Sequence, residues 1–354
     1  MTRRVVTIGD GAMATVCSQI VAGKGTPERP IEVRVWGRDA GRLEQMNRTR
    51  QNARYLPGLT IAPNIHFTAD GSELFATQHG AAALIICAVP VQFMRAALEG
   101  LKAFVPPEAP VVSVAKGIEI ATLQRPSQII LEVLGARPVA ALSGPNIAGE
   151  LARKLPATMV VASERTPRKN GKAQSGPAGG EDFSRWVQEL FTTPHLRVYR
   201  NDDLLGVEFA GAMKNVIAIA AGILDGLHAG NNAKAALLTR GLVEISRLGE
   251  ALGAQPETFA GLAGMGDLVT TCVSPEGRNR TFGERVGRGE RVDKILAEIA
   301  GVVEGMPTCE SVVRLAREKG IAMPISEGLH AVLFEGRNPR DEIAVLMARE
   351  LKSE

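Results

Sequence analysis

At 354 residues, with 45% hydrophobic and 22% charged side chains, the chain can bury a large core and suits two domains, which excludes disorder as its main state. Lys and Arg number 41 against 38 Asp and Glu, a net charge of +3 that is too mild to declare a nucleic-acid or membrane partner, and 4% aromatic content argues against base-stacking platforms. Four scattered cysteines without CxxC spacing, and five histidines without HExxH or HxxxH pairs, exclude a disulfide scaffold and a zinc site and suit a reduced, cytoplasmic protein.

The start of the chain carries no signal-peptide-like apolar region, and no apolar run reads as long enough to span a bilayer. Through the first half, short β-branched runs at 4–8, 32–36, 83–89, 111–115, 139–142 and 158–162 alternate with helical stretches. That alternation predicts a doubly wound parallel sheet with crossover helices. The near-continuous apolar run at 83–89 fits a central strand covered on both faces. Residues 164–182 turn abruptly polar and rich in Pro, Gly and Lys, which predicts a flexible surface loop inserted in the first domain. A helix at about 183–190 and a strand at 196–199 complete that domain. From 203 onward the period is helical, with segments at about 203–225, 233–252, 256–262, 279–289, 292–299, 308–319, 326–335 and 339–349. The expected division is an α/β domain over 1–200 and an all-α domain over 201–354, with no internal repeat.

The first strand runs directly into Gly9-Asp10-Gly11-Ala12-Met13-Ala14, a G-x-G-x-x-A turn between a strand and a helix. In that setting Gly9 permits the tight turn, Gly11 lets backbone approach a pyrophosphate, Ala14 allows close helix–strand packing, and the helix N-terminus supplies an anion site. The pattern predicts a Rossmann-like dinucleotide site. After the second strand comes Gly37-Arg38-Asp39, where an acidic residue usually meets the ribose of NAD. Arg38 there favours a 2′-phosphate and hence NADP, or is a surface charge; Asp39 reads equally as the N-cap of the next helix.

Two polar residues, Lys214 and Asn215, stand in an otherwise apolar helical stretch whose neighbours at three and four positions are Ala210, Gly211, Ala212, Ile217, Ala218 and Ile219. A buried ammonium suits proton transfer near neutrality, whereas one at a helix rim snorkels to water. Lys116 and the Ser143–Ala148 loop each follow the carboxyl end of a predicted parallel strand, the edge where open α/β sheets bind ligands. Asp267 and Thr271 are spaced to share one face of a helix, with Asp267 placed to orient a Lys or to cap. Arg278-Asn279-Arg280 offers a guanidinium fork and an amide suited to a phosphate, or a solvated basic patch.

Ten stretches, in order and across both halves, give the sequence its family likeness: Ile8-Gly9-Asp10-Gly11, 52–58 (NARYLPG), 116–119 (KGIE), 143–145 (SGP), 214–218 (KNVIA), 232–237 (NAKAAL), 239–242 (TRGL), 266–268 (GDL), 278–280 (RNR) and 303–305 (VEG). With these the chain resembles the bacterial NAD(P)-dependent glycerol-3-phosphate dehydrogenases. The resemblance implies an α/β Rossmann-like N-terminal domain and an all-α C-terminal domain of the 6-phosphogluconate-dehydrogenase-like kind that usually dimerises. It implies reversible reduction of dihydroxyacetone phosphate by NAD(P)H to sn-glycerol 3-phosphate, a phospholipid precursor, by a homodimer that neither inserts in membranes nor binds nucleic acid. Lys214 would then be the general acid/base, Lys116 would contact substrate and cofactor, and Asp267 would align Lys214 and a substrate hydroxyl. Arg278 and Asn279 would take the phosphate, with Gly144, Asn146 and Thr271 lining the substrate. The cofactor would lie against Gly9, Gly11, Ala12, Met13, Ala14, Arg38, Lys116, Ala148, Arg278, Val302 and Glu304.

The chain departs from the family pattern in four places, one of them the Pro-, Gly- and Lys-rich insertion at 164–182, which most members lack. Met13-Ala14 stands where an aromatic and Gly are usual, Asn146-Ile147 where Ser or Thr and Phe are usual, and Val91 where a small hydroxyl residue is usual. At Asn146 a hydroxyl contact to substrate would become an amide contact. Two rival readings are a related hydroxy-acid reductase of the same two-domain class and a non-catalytic dinucleotide sensor.

Overall fold

The computed structural model describes residues 3–76, 82–164, 180–299 and 301–350. The expected basic loop at 164–182 lies, apart from its two ends, outside the described residues. By packing, the chain forms two compact units, one of Met1–Lys116 with Arg125–Val207 and one of Gly117–Gln124 with Glu208–Glu354. Residues 201–207 thus pack with the first unit and 117–124 with the second, against the single cut after residue 200 expected from sequence.

The first unit is built on strands β1 (Arg3–Ile8), β2 (Ile31–Trp36), a hairpin of β3 (Gln51–Asn52) and β4 (Leu56–Thr60), β5 (Ile65–Thr68), β6 (Ala82–Cys87), β7 (Val111–Ser113), β8 (Val139–Ser143), β9 (Ala157–Ser163) and β10 (Leu196–Asn201). Eight of them form one sheet in the order β10-β9-β8-β7-β6-β1-β2-β5. From β5 to β8 every pairing is parallel, and the order reverses beside β1, the topological switch point at which such sheets bind ligands. Alternation along β1 explains the two layers. Val5 joins one apolar cluster with Val33, Val35, Leu84 and Ile86, while Val6 and Ile8 join another with Ile85, Met94 and Leu98 on the opposite face.

β9 corrects the all-parallel expectation, because it runs antiparallel to β8 with Ala141 opposite Ala162. Residues 144–156 separate the two strands, and within them only Ala148–Ala152 is helical. The chain turns back after β8, and β10 pairs parallel with β9 at the sheet edge. The sequence reading also passed over β5 and the β3–β4 hairpin, both short and interrupted by polar or turn residues.

The second unit is helical. Its longest element, Leu204–Gly226, is long and apolar enough to cross a membrane by length and composition, which corrects the expectation that no stretch approaches that length; 94% of its most apolar window is buried inside the protein, as in a core helix. Gly222 and Gly226 on this helix face Gly283 and Gly287 on Arg278–Gly287. A Cβ at Gly222 would collide with the carbonyl of Arg280, and one at Gly283 with that of Ile219. The four glycines let the two backbones touch, which brings Arg278 and Asn279 beside the lysine-bearing helix. Segment 117–124 joins this unit through Ser311 Oγ, which donates to the Ile118 carbonyl at 3.0 Å.

Candidate active site

In the first unit, Gly9 has φ +114°, and a Cβ there would lie 2.9 Å from the Ala88 carbonyl carbon, so this corner of the turn admits only glycine. Gly11 is the N-cap of helix Ala12–Ala22, and a Cβ built on it would meet nothing within 4 Å. Open space over first-turn amides is what an incoming pyrophosphate requires, so the turn fits a dinucleotide. Ala14 is buried, and Met13 is half-buried against the apolar cluster that holds Val33 and Val35.

Past β2 the two readings of Gly37-Arg38-Asp39 separate. Asp39 accepts the backbone N–H of Arg42 at 3.0 Å and so caps helix Ala40–Thr49. Arg38 is exposed, with its guanidinium 5.6 Å from the centre of the Phe93 ring, a cation–π contact that steadies the charge at the surface. Sequence reasoning had no signal for Phe93, which lies 55 residues away.

At the carboxyl end of the sheet, Lys116 Nζ donates to the Gly144 carbonyl at 3.2 Å and to Asn146 Oδ1 at 3.0 Å. The two loops expected to share one edge therefore meet. An ammonium only donates, so Asn146 turns its carbonyl oxygen to Lys116 and its NH2 away. Gly144 has φ +110°, with the site of a Cβ 3.3 Å from Met159 Cα. Ala148 opens the next short helix. The buried Ser143 hydroxyl, which the sequence reading did not single out, has no hydrogen-bond partner among the described residues.

In the second unit, Lys214 is 8% exposed and does not snorkel to water. Its Nζ donates to Asp267 Oδ1 at 2.7 Å and to Thr271 Oγ1 at 2.6 Å. Asp267 opens helix Asp267–Val273 and is 1% exposed. Thr271 stands one turn on and lies 3.3 Å from the same carboxylate oxygen, so the i, i+4 spacing brings all three together. Burial beside them pushes the Cys272 thiol up to about 12 and keeps it protonated.

Asn279 is tied into the protein. Its Oδ1 accepts the Gly305 backbone N–H at 2.9 Å, and its Nδ2 donates to Asn215 Oδ1 at 2.9 Å. Asn279 thereby satisfies an otherwise unpaired amide at the start of helix Gly305–Lys319, whose N-cap is Glu304. Among the described residues, the second amide hydrogen of Asn279 meets no acceptor. Arg278 is exposed, and its guanidinium lies over Gly301, next to Val302; a side chain at Gly301 would displace it. These residues therefore gather within the second unit as the sequence order suggested, while the part played by Asn215 came only from the coordinates.

Family models described as NAD-dependent glycerol-3-phosphate dehydrogenase N-terminus and C-terminus match residues 4–168 and 203–344. The chain belongs to this dehydrogenase family. It is 42% identical over 357 residues to the glycerol-3-phosphate dehydrogenase [NAD(P)+] of Geobacter sp. (strain M21), covering 100% of this chain and 99% of that protein. It is 43% identical over 352 residues to glycerol-3-phosphate dehydrogenase [NAD(P)+] 2 of Mycobacterium tuberculosis (strain ATCC 25618 / H37Rv), covering 99% and 98%. The crystal structure of glycerol-3-phosphate dehydrogenase from Coxiella burnetii superposes with a TM-score of 0.88 at 31% identity, over 98% of this chain and 99% of that one. The two-part architecture expected from sequence, a Rossmann-like sheet followed by a helical unit, is that of this dehydrogenase family.

Proposed function

We propose that the protein catalyses the reversible NAD(P)H-dependent reduction of dihydroxyacetone phosphate to sn-glycerol 3-phosphate, supplying glycerophospholipid synthesis as a cytoplasmic homodimer. The observation that carries the reading is the buried Lys214–Asp267–Thr271 group in a chain whose first strand ends in a dinucleotide-type glycine turn. In functional terms, residues 1–200 bind the dinucleotide and 201–354 hold the substrate and the dimer contact.

The cofactor, when bound, supplies the hydride. Gly9, Gly11, Ala12, Met13 and Ala14 hold its pyrophosphate, and Arg38 meets its adenosine ribose, with a 2′-phosphate matching the guanidinium. Ala148, Arg278, Val302 and Glu304 complete the cofactor contacts. Lys214 gives a proton to the carbonyl oxygen as negative charge develops there, and takes it back in the reverse direction. Asp267 and Thr271 accept from the same ammonium, so its remaining hydrogen has a fixed direction. Asp267 also aligns a substrate hydroxyl.

Lys116, held by Gly144 and Asn146, places a second positive charge near the developing alkoxide and contacts substrate and cofactor. The outward NH2 of Asn146 serves as the substrate donor where relatives use a hydroxyl. Arg278 takes the phosphate as a charged fork, assisted by the free amide hydrogen of Asn279.

The test is the initial rate of NADH and, separately, NADPH oxidation with dihydroxyacetone phosphate, beside phosphate-free dihydroxyacetone. Turnover that requires the phosphate supports the assignment. Turnover of a 3-hydroxy acid's keto form with none of dihydroxyacetone phosphate moves the assignment to a related reductase, and cofactor binding without turnover moves it to a sensor.

A further inference from the structure

Asn52, from the small hairpin outside the main sheet, is 1% exposed and points beneath the glycine turn. Its Nδ2 donates to the Asp10 carbonyl at 2.9 Å and to Thr15 Oγ1 at 2.8 Å. Its Oδ1 receives the backbone N–H of Tyr55 at 3.4 Å, which fixes the two ends of the amide. The Thr15 hydroxyl, having accepted from Asn52, donates its own hydrogen to the Gly11 carbonyl at 3.0 Å. Thr15 N–H reaches the same oxygen at 3.0 Å.

A trans peptide points its C=O and N–H in opposite directions. Drawing the Asp10 carbonyl towards Asn52 therefore aims the Gly11 N–H away from it. Drawing the Gly11 carbonyl inward aims the Ala12 N–H outward in the same manner. These are first-turn amides without an intrahelical acceptor, on the side where Gly11 leaves open space.

We propose that Asn52 is the positioning residue for the pyrophosphate site: through the Asp10 carbonyl and the Thr15 hydroxyl it sets the orientation of the Gly11 and Ala12 amides that bind the dinucleotide. The proposal rests on the reading of the glycine turn as that site. Asn52 itself touches no ligand. Its effect falls on the diphosphate, because its NH2 acts on the Asp10 carbonyl directly and on the Gly11 carbonyl through the Thr15 hydroxyl, and the partner amides of both carbonyls face that group. A side chain that merely supported the hairpin would have no reason to span from Asp10 to Thr15.

The experiment is calorimetric titration of the full chain with ADP-ribose, which carries the pyrophosphate, together with melting temperature and steady-state kinetics for NADH. In Asn52→Ala and in the isosteric Asn52→Asp, which loses the donor, the expected result is a dissociation constant for ADP-ribose raised about tenfold, the consequence of misaimed anion donors. The KM for NADH should rise in parallel and by more than kcat falls.

Thr15→Val, nearly the same size and lacking the relay to Gly11, should weaken ADP-ribose as well, which keeps the test available if Asn52→Ala does not fold. The double variant should lose less than the sum of the two. Lowered melting temperatures with ADP-ribose affinity unchanged would reduce Asn52 to a structural role and overturn the proposal. Failure of the unmodified protein to bind ADP-ribose would instead overturn the dinucleotide reading beneath it.

Discussion

Lys214 Nζ and Asp267 Oδ1 lie 2.7 Å apart, and the carboxylate side chain of the pair is 1% exposed. Removing one partner of such a pair strands the other charge in the core, at a cost of about 3–5 kcal/mol. Lys214→Met and Asp267→Asn alone should therefore each lower stability by that order in chemical denaturation. The double variant should be more stable than Lys214→Met alone while remaining inactive. A double variant less stable than both singles would show that the pair is not the energetic unit described.

Arg38 stacks over Phe93 at the end of β2. Arg38→Ser should raise KM for NADPH by about tenfold, the effect of losing one charge-assisted contact, and leave KM for NADH nearly unchanged. Phe93→Ala should give a smaller change of the same kind because the guanidinium loses its support. Equal effects on the two cofactors would return Arg38 to a plain surface charge.

Glu244 is buried, and desolvation with the Glu327 carboxylate nearby pushes its carboxyl up to about 7, against the stabilising hydrogen bonds from Ile325 N–H and from the N–H and hydroxyl of Ser326. Between its unfolded value of 4.5 and about 7 the folded chain keeps a proton that the unfolded chain has lost. Stability from this group is therefore present at low pH and lost as pH rises through 7, by about 3 kcal/mol in total. Urea denaturation at pH 5 and pH 7.5 should show this slope in the unmodified chain and a flatter one in Glu244→Gln. Equal slopes in the two proteins would contradict it.

The crossing of Leu204–Gly226 with Arg278–Gly287 depends on backbone contact at Gly222 and Gly283. Gly222→Ala should force the helices apart and destabilise the second unit by about 1–3 kcal/mol, the usual penalty of overpacking. Gly11→Ala meets open space and should leave the melting temperature nearly unchanged while weakening dinucleotide binding. The reverse ranking of the two melting temperatures would be contrary to the packing described.

Much of this was legible in the sequence because it depends on local periodicity. The apolar runs gave the central strands, Gly9-x-Gly11 located the turn, and the spacing of Asp267 and Thr271 placed both on one helical face. The direction of β9 was not legible, since the connection over 144–156 is long enough for either direction and the choice is made by pairing within the sheet. Nor was the engagement of Asn279 with Asn215 and Gly305, which joins residues 64 and 26 positions apart. Asn52 opens the NARYLPG stretch at 52–58, but its two acceptors, Asp10 and Thr15, lie about 40 positions away, and no pattern in a single chain specifies such a pairing.

The most direct test of the account is turnover of dihydroxyacetone phosphate by the unmodified chain and by Lys214→Met, with cofactor affinity measured on both. Phosphate-dependent turnover should fall by about a hundredfold to ten-thousandfold in the variant, the contribution of a positioned general acid, with NADH and NADPH binding preserved. Turnover in Lys214→Met close to that of the unmodified chain would contradict it.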